Sequence, residues 1–390
     1  MKIDSLDFFY LSMPEVEDIG DGSQDALLVR VTAGGYTGWG ECEASPLTTI
    51  AALVCPMSHS ACKPVVASVL GERLTQPSDI VRIHQKVREN SMDLLQSDHA
   101  LSGVDIALWD LLGKMCDEPV YHLLGYKHSY SKVPYASFLF GDTPQETFEK
   151  AKRATQQGYK AVKCGWGPFG KNLQADIEHV VAAREGVGQE NVLLIDAGTV
   201  WGSDVEVAKS RLKILQEQKV TWLEEPFHTS ALEAYRALSN ESKTVKLAGG
   251  EGAHNEFMAY HLIDYGDVGF IQVDAGRVGG LTSAKRVADY AFQKNVTYVN
   301  HTFTSHLALS ASLQPYAGLE GHRLCEYPIE LKPLAYDLTN DHLELNQGGE
   351  ICLPEKPGLG MELNLETIKK YLVQTQIIVN KKVLYETPKL

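Results

Sequence analysis

Residues 26–41 carry the first clear pattern: ALLVRVT, a Gly34-Gly35 pair, then YTGWGE, alternating as a half-buried hairpin does. Over about residues 78–115 the period lengthens, and Leu101, Val104, Leu108, Leu111 and Leu112 share one helical face. The first third therefore predicts a small α+β unit. From about residue 133 to 327, short apolar runs alternate with amphipathic helical stretches, the mark of parallel βα units. The runs are PYASF (134–138), AVKCGW (161–166), VLLIDAG (192–198), VTWLEEP (220–226), KLAGGE (246–251), GFIQVDA (269–275), TYVNHT (297–302) and RLCEYP (323–328). Eight such runs predict an α/β fold, a closed (β/α)8-type barrel.

The expected division is an N-terminal α+β unit over residues 1–130, the barrel over 131–332 and a C-terminal segment over 333–390. That last segment holds a Pro357-Gly358-Leu359-Gly360 turn and the helix-like NLETIKKYLV, and is expected to fold back onto the N-terminal unit. Without a Gly/Ser linker the parts should pack rigidly.

Composition narrows the function. With 44% hydrophobic and 22% charged residues the chain reads as an ordinary globular protein. No run approaches the ~20 apolar residues of a membrane span, and the N-terminus carries acids where a signal peptide is apolar, so a cytoplasmic location is expected. A formal charge of -14 argues against a nucleic-acid partner, which calls for clustered Lys and Arg. The same charge repels an anionic substrate unless a bound cation reverses the field locally. Seven cysteines with no CxxC spacing suggest reduced, structural thiols; strand alternation turns Cys164 and Cys325 into the helix layer.

Polar residues stand near the C-terminal end of nearly every barrel run: Lys163, Asp196, Glu224, Glu251, Asp274, His301 and Glu326. Successive strand ends ring one mouth, where barrels of this class keep their active sites. Three consecutive strands each ending in a carboxylate are costly to bury unless they share a cation. Mg²⁺, which takes about six oxygens at roughly 2.0–2.1 Å, fits Asp196, Glu224 and Glu251. Rim ion pairs with Lys or Arg account for any single acid, less well for three in phase. Phase alone does not decide between Glu224 and Glu225. Asp274 and His301 end adjacent strands, so the carboxylate can orient the imidazole and raise its basicity. Lys163 reaches toward a substrate carboxylate or snorkels to the surface. Glu326 must be protonated to donate a hydrogen bond to a developing enediolate.

SGVDIALWDLLGK (102–114), YKAVKCGWG (159–167), LIDAGTVW (194–201), WLEEPF (222–227), LAGGEGAHN (247–255), QVDAGRVGG (272–280), VNHTFTSH (299–306), CEYP (325–328) and PGLG (357–360) together resemble the enolase superfamily, mandelate racemase subgroup. The resemblance implies a modified TIM barrel closed by an α+β capping domain. It implies Asp196, Glu224 (the first Glu of the EEP triplet) and Glu251 as Mg²⁺ ligands, Asp274–His301 as the acid/base dyad, Glu326 beside the enediolate, and a homo-oligomer, dimer or octamer. The superfamily's use of a Lys or His base with Mg²⁺ is a general pattern. One departure matters. The subgroup usually carries Lys-x-Lys on the second strand, and here the piece is Lys163-Cys164-Gly165, so the second base is missing.

Direct racemisation normally takes a base on each face, whereas dehydration takes one abstraction. The expected activity is therefore a dehydratase of a small-molecule sugar acid, an aldonate or aldarate and among them a pentonate such as L-lyxonate. Specificity is expected from the cap, chiefly residues 14–23 and 43–49. The alternatives are a racemase or epimerase of a 2-hydroxy acid, with Lys163 as the opposite base, and a catalytically silent sugar-acid binding protein.

Overall fold

The computed structural model describes residues 1–43 and 45–390. Three antiparallel strands open the chain: β1 Ser5–Ser12, β2 Asp25–Ala33 and β3 Tyr36–Cys42, ordered β1-β2-β3. The β2–β3 hairpin turns at the expected Gly34-Gly35 pair, with Ala33 opposite Tyr36. β1 carries no legible alternation because consecutive Phe8 and Phe9 are both buried, one toward each side of a strand that is covered on both faces.

The helical stretch expected over residues 78–115 is two helices, Pro77–Asn90 and Ser97–Cys116. No Gly or Pro marks the break. It is made in space, where the Ser91 hydroxyl donates to the Lys63 carbonyl at 2.7 Å and the Asp93 N–H to that of Ala61 at 2.9 Å. The second helix lies almost on the backbone of β3. A Cβ at Gly38 would stand 2.2 Å from the Ala107 carbonyl, and one at Gly40 2.1 Å from that of Gly103.

Eight parallel strands follow: β4 Val133–Leu139, β5 Ala161–Gly165, β6 Val192–Asp196, β7 Trp222–Glu224, β8 Lys246–Gly249, β9 Phe270–Asp274, β10 Thr297–His301 and β11 Leu324–Pro328. Each coincides with one of the eight apolar runs. Their hydrogen-bonded order is β10-β9-β8-β7-β6-β5-β4-β11, with β10 and β11 in contact, so the sheet is nearly closed as a barrel behind its returning helices. Tyr135, Ala161, Leu194, Trp222, Ala248 and Val299 fill the interior as a separate apolar plug, the Tyr135 and Trp222 rings meeting edge to face at 5.4 Å. Because side chains alternate along a strand, the position two residues beyond a plug residue points inward at the mouth. Those positions hold Ser137, Lys163, Asp196, Glu224, Gly250 and His301, and, beyond Leu324, Glu326.

The C-terminal tail runs back to the N-terminal sheet. Leu372 bridges Leu11, the Val373 N–H donates to Tyr10, and the Tyr385 hydroxyl donates to the Phe8 carbonyl at 2.8 Å. It ends in a hairpin, β12 Gln376–Val379 with β13 Lys382–Glu386, which the sequence pattern did not suggest. The seven cysteines are free, with Cys164 and Cys325 buried away from the mouth. Among the described residues no helix is long and apolar enough to cross a membrane.

The seam between the N-terminal unit and the barrel is polar. Asp105 accepts from the Thr282 N–H at 2.9 Å and its hydroxyl at 2.6 Å, and Trp109 Nε1 donates to the same hydroxyl at 3.0 Å. Burial pushes the Asp105 carboxyl up to about 7 from an ordinary 3.8. A raised carboxyl favours the protonated fold, so its contribution is intact below about pH 4 and is lost as pH rises toward 7. Asp105→Asn should remove that component, on the order of a few kcal/mol. Urea unfolding from pH 4 to 8 measures it; an unchanged slope in the variant refutes the assignment.

Candidate active site

Lys163, Asp196, Glu251, His301 and Glu326 line a cavity of about 420 Å³ at the barrel mouth. Glu224 and Asp274 stand against its wall, each bonded to one of these groups. All seven residues singled out from the sequence thus meet, although Glu251 comes from the turn after β8 and not from its last residue.

One oxygen each from Asp196, Glu224 and Glu251 lies within 4.8 Å of the other two. The register explains it, since Gly165 pairs with Asp196 and Asp196 with Glu224 across β5, β6 and β7. The Glu224–Glu225 ambiguity is resolved by direction. Glu224 faces inward, with Trp222 Nε1 donating to it at 3.0 Å, while Glu225 turns toward the N–H groups of Gly250 and Gly252. Burial, and then mutual repulsion, hold Asp196 well above the ordinary carboxylate range, and burial raises Glu224 too, against the pull of Lys163. Burial also acts to raise Glu251, but the charge and hydrogen bond of His301 outweigh it and hold the group at about 2. An all-oxygen group this rich in buried negative charge fits a hard divalent cation.

Lys163 is not a snorkelling lysine. Its ammonium is 2.7 Å from Glu224 and from Glu326 and 3.6 Å from Asp196. Burial disfavours the charge, yet these acids reverse that and raise its pKa well above the ordinary value. His301 and Asp274 are register partners on β10 and β9, and Nδ1 of His301 meets the Asp274 carboxylate at 2.8 Å. Nε2 faces Glu251 at 3.0 Å and Glu326 at 3.8 Å. Burial would lower His301, but the neighbouring carboxylates, Glu251 first, raise it well above 6.5.

Glu326 stands among donors. It accepts from the Ser137 hydroxyl, from Lys163 and from the Thr302 N–H. Burial raises its pKa, but Lys163 and His301 more than offset this and hold the carboxyl below its usual value.

Sequence reasoning missed Ser137, a serine in an apolar strand, and Arg277, which pairs with Glu43 and approaches Glu251 at 3.6 Å. Arg277 lies inside QVDAGRVGG, three residues beyond Asp274, and that spacing was its only signal. Of residues 14–23, Ile19, Gly20, Asp21 and Gly22 line the cavity. Of residues 43–49 only Glu43 does among the described residues; Thr49 is buried elsewhere and residue 44 lies outside those described.

Comparison with known proteins bears on the family of the chain. Residues 146–368 match the enolase C-terminal domain-like family, and residues 19–125 the mandelate racemase / muconate lactonizing enzyme N-terminal domain. A D-xylonate dehydratase from Haloferax volcanii is 29% identical, covering 93% of this chain and 89% of its own. A D-galactarolactone cycloisomerase from Agrobacterium fabrum is 27% identical over 86% of this chain and 88% of its own. A crystal structure described as a predicted mandelate racemase from Rhodobacter sphaeroides is 57% identical, covers all of both chains and superposes with a TM-score of 0.96. Similar proteins thus include dehydratases, cycloisomerases and racemases. The barrel, its N-terminal sheet and both family matches establish that this chain belongs to the enolase superfamily, among the mandelate racemase-like proteins.

Proposed function

We propose that the protein is a Mg²⁺-dependent dehydratase of a sugar acid, an aldonate or aldarate and among them a pentonate such as L-lyxonate, yielding a 2-keto-3-deoxy acid. Asp196, Glu224 and Glu251 would hold Mg²⁺, which when bound supplies a Lewis acid for the substrate carboxylate. Asp274 fixes the His301 ring through Nδ1, so that Nε2 faces the cavity and removes the proton next to that carboxylate. Lys163 stabilises the negative charge that gathers on the carboxylate oxygens, and Glu326, itself bonded by the Ser137 hydroxyl, holds Lys163 in place. The protonated imidazole then returns its proton to the 3-hydroxyl as the carbon–oxygen bond breaks. Water leaves on the same face, and the enol rearranges to the keto acid.

The observation that carries this reading is the single base. Gly165 occupies the position of the subgroup's second lysine, and a Cβ there would stand 2.9 Å from the Asp196 carboxylate. The ammonium of Lys163, engaged by two carboxylates, is a poor candidate for the opposite base of a racemase. The likeness to a D-xylonate dehydratase supports the same choice.

His301→Asn should lower kcat by about 10²–10⁴ while Mg²⁺ binding, followed by calorimetry, persists; near-normal turnover would move the base to Lys163. Incubating the enzyme with Mg²⁺ and a panel of sugar acids in D₂O should produce 2-keto acid. Recovery of deuterated, inverted substrate without keto acid would instead establish a racemase. Gly165→Lys should weaken Mg²⁺ binding by crowding Asp196 and should not confer racemisation, as chiral analysis of the recovered acid will report.

A further inference from the structure

Trp166 follows β5 directly, with φ at 57°, a left-handed backbone that bulky residues rarely adopt. Although it lines the cavity, the residue is 42% exposed. Backbone on two sides is shaped around its ring. A Cβ at Gly20, in the N-terminal unit, would come within 3.1 Å of the indole, and one at Gly198, after β6, within 2.9 Å. Strain and apolar exposure together at a cavity wall point to a ligand contact.

The charges nearby describe that ligand. Among the described residues, Lys163 and Arg277 are the Lys and Arg side chains lining the cavity. Both are already paired, Lys163 with Glu224 and Glu326, Arg277 with Glu43. The N-terminal unit adds two further acids, Asp21 and Glu43. A second carboxylate would meet like charge there without a free cation, whereas hydroxyls would meet acceptors.

Building on the sugar-acid reading above, we propose that Trp166 is the platform of a tail subsite, where its indole takes the C–H face of an uncharged, hydroxylated chain. The substrate is then a monocarboxylate whose affinity grows with its tail. Calorimetry on the Mg²⁺-loaded protein tests this with glycolate, a panel of pentonates and the matching five-carbon diacids. The best pentonate should bind wild-type protein about tenfold or more tighter than glycolate, through the apolar area it buries, and tighter than its diacid. Trp166→Gly, which removes the ring and relieves the backbone, should abolish most of that gain without changing glycolate affinity. Trp166→Phe should restore part of it. Equal weakening of glycolate and pentonate, unchanged pentonate affinity, or diacids binding as tightly as pentonates would overturn the subsite. The wild-type comparison holds whether or not the glycine variant folds, since affinity blind to tail length overturns it alone. Tail-dependent binding without keto acid formation would support the subsite and defeat only the dehydratase; no binding of any acid would defeat both.

Discussion

Mutual repulsion among Asp196, Glu224 and Glu251 is the constraint around which the molecule is arranged. Parallel strands in register bring carboxylates from neighbouring strand ends into one small volume, and removal from water strengthens their repulsion. The strands do not spread because Tyr135, Trp222 and the rest of the apolar plug lock them from beneath. Relief must then come from positive charge. Lys163 bonds to Glu224 and His301 to Glu251, and these acids draw both pKa values upward against the cost of burial; a cation held by the three acids would take Glu251 from the imidazole and leave it free to act as a base. The site is poised for a cation because its scaffold cannot relax away from the acids.

The same arrangement divides the work between the two parts of the chain. Groups on the barrel strands are fixed by pairing to their neighbours, as in the register partnership of Asp274 and His301. The N-terminal unit contributes shape and outer charge through residues 19–22 and Glu43, held over the mouth by the Glu43–Arg277 pair. The buried Asp105–Thr282 bonds and the tail strapped along β1 keep that unit in place. Under the proposed reaction, proton transfer would fall to the barrel groups, while selection among similar acids would fall to the N-terminal loops.

A single glycine bears on which reaction these elements perform. At position 165 any side chain would press on Asp196, so this strand end carries no side chain beside Lys163 that could serve as a second base. Under the proposed reaction, an enediolate formed here would be served by one imidazole. Elimination of a neighbouring hydroxyl fits that asymmetry better than inversion does.

The sequence alone determined the eight barrel strands and the seven polar residues at their ends, because strand periodicity and the spacing of a βα unit are local and recur eight times. It also marked the missing second lysine, which is a matter of residue identity. Tertiary structure decided what depended on neighbours distant in the chain. The direction of Glu224 against Glu225 came from the curl of the chain after β7, and the hydrogen bonds of Glu326 from Ser137, Lys163 and Thr302, on or just beyond other strands. β1 lacked alternation because both its faces are covered, and the helix break at Ser91 is made by residues 61–63. Arg277, Glu43 and Trp166 acquired meaning only at the mouth, since a charge pair or an exposed ring is defined by what stands opposite it, and no period along the chain records that.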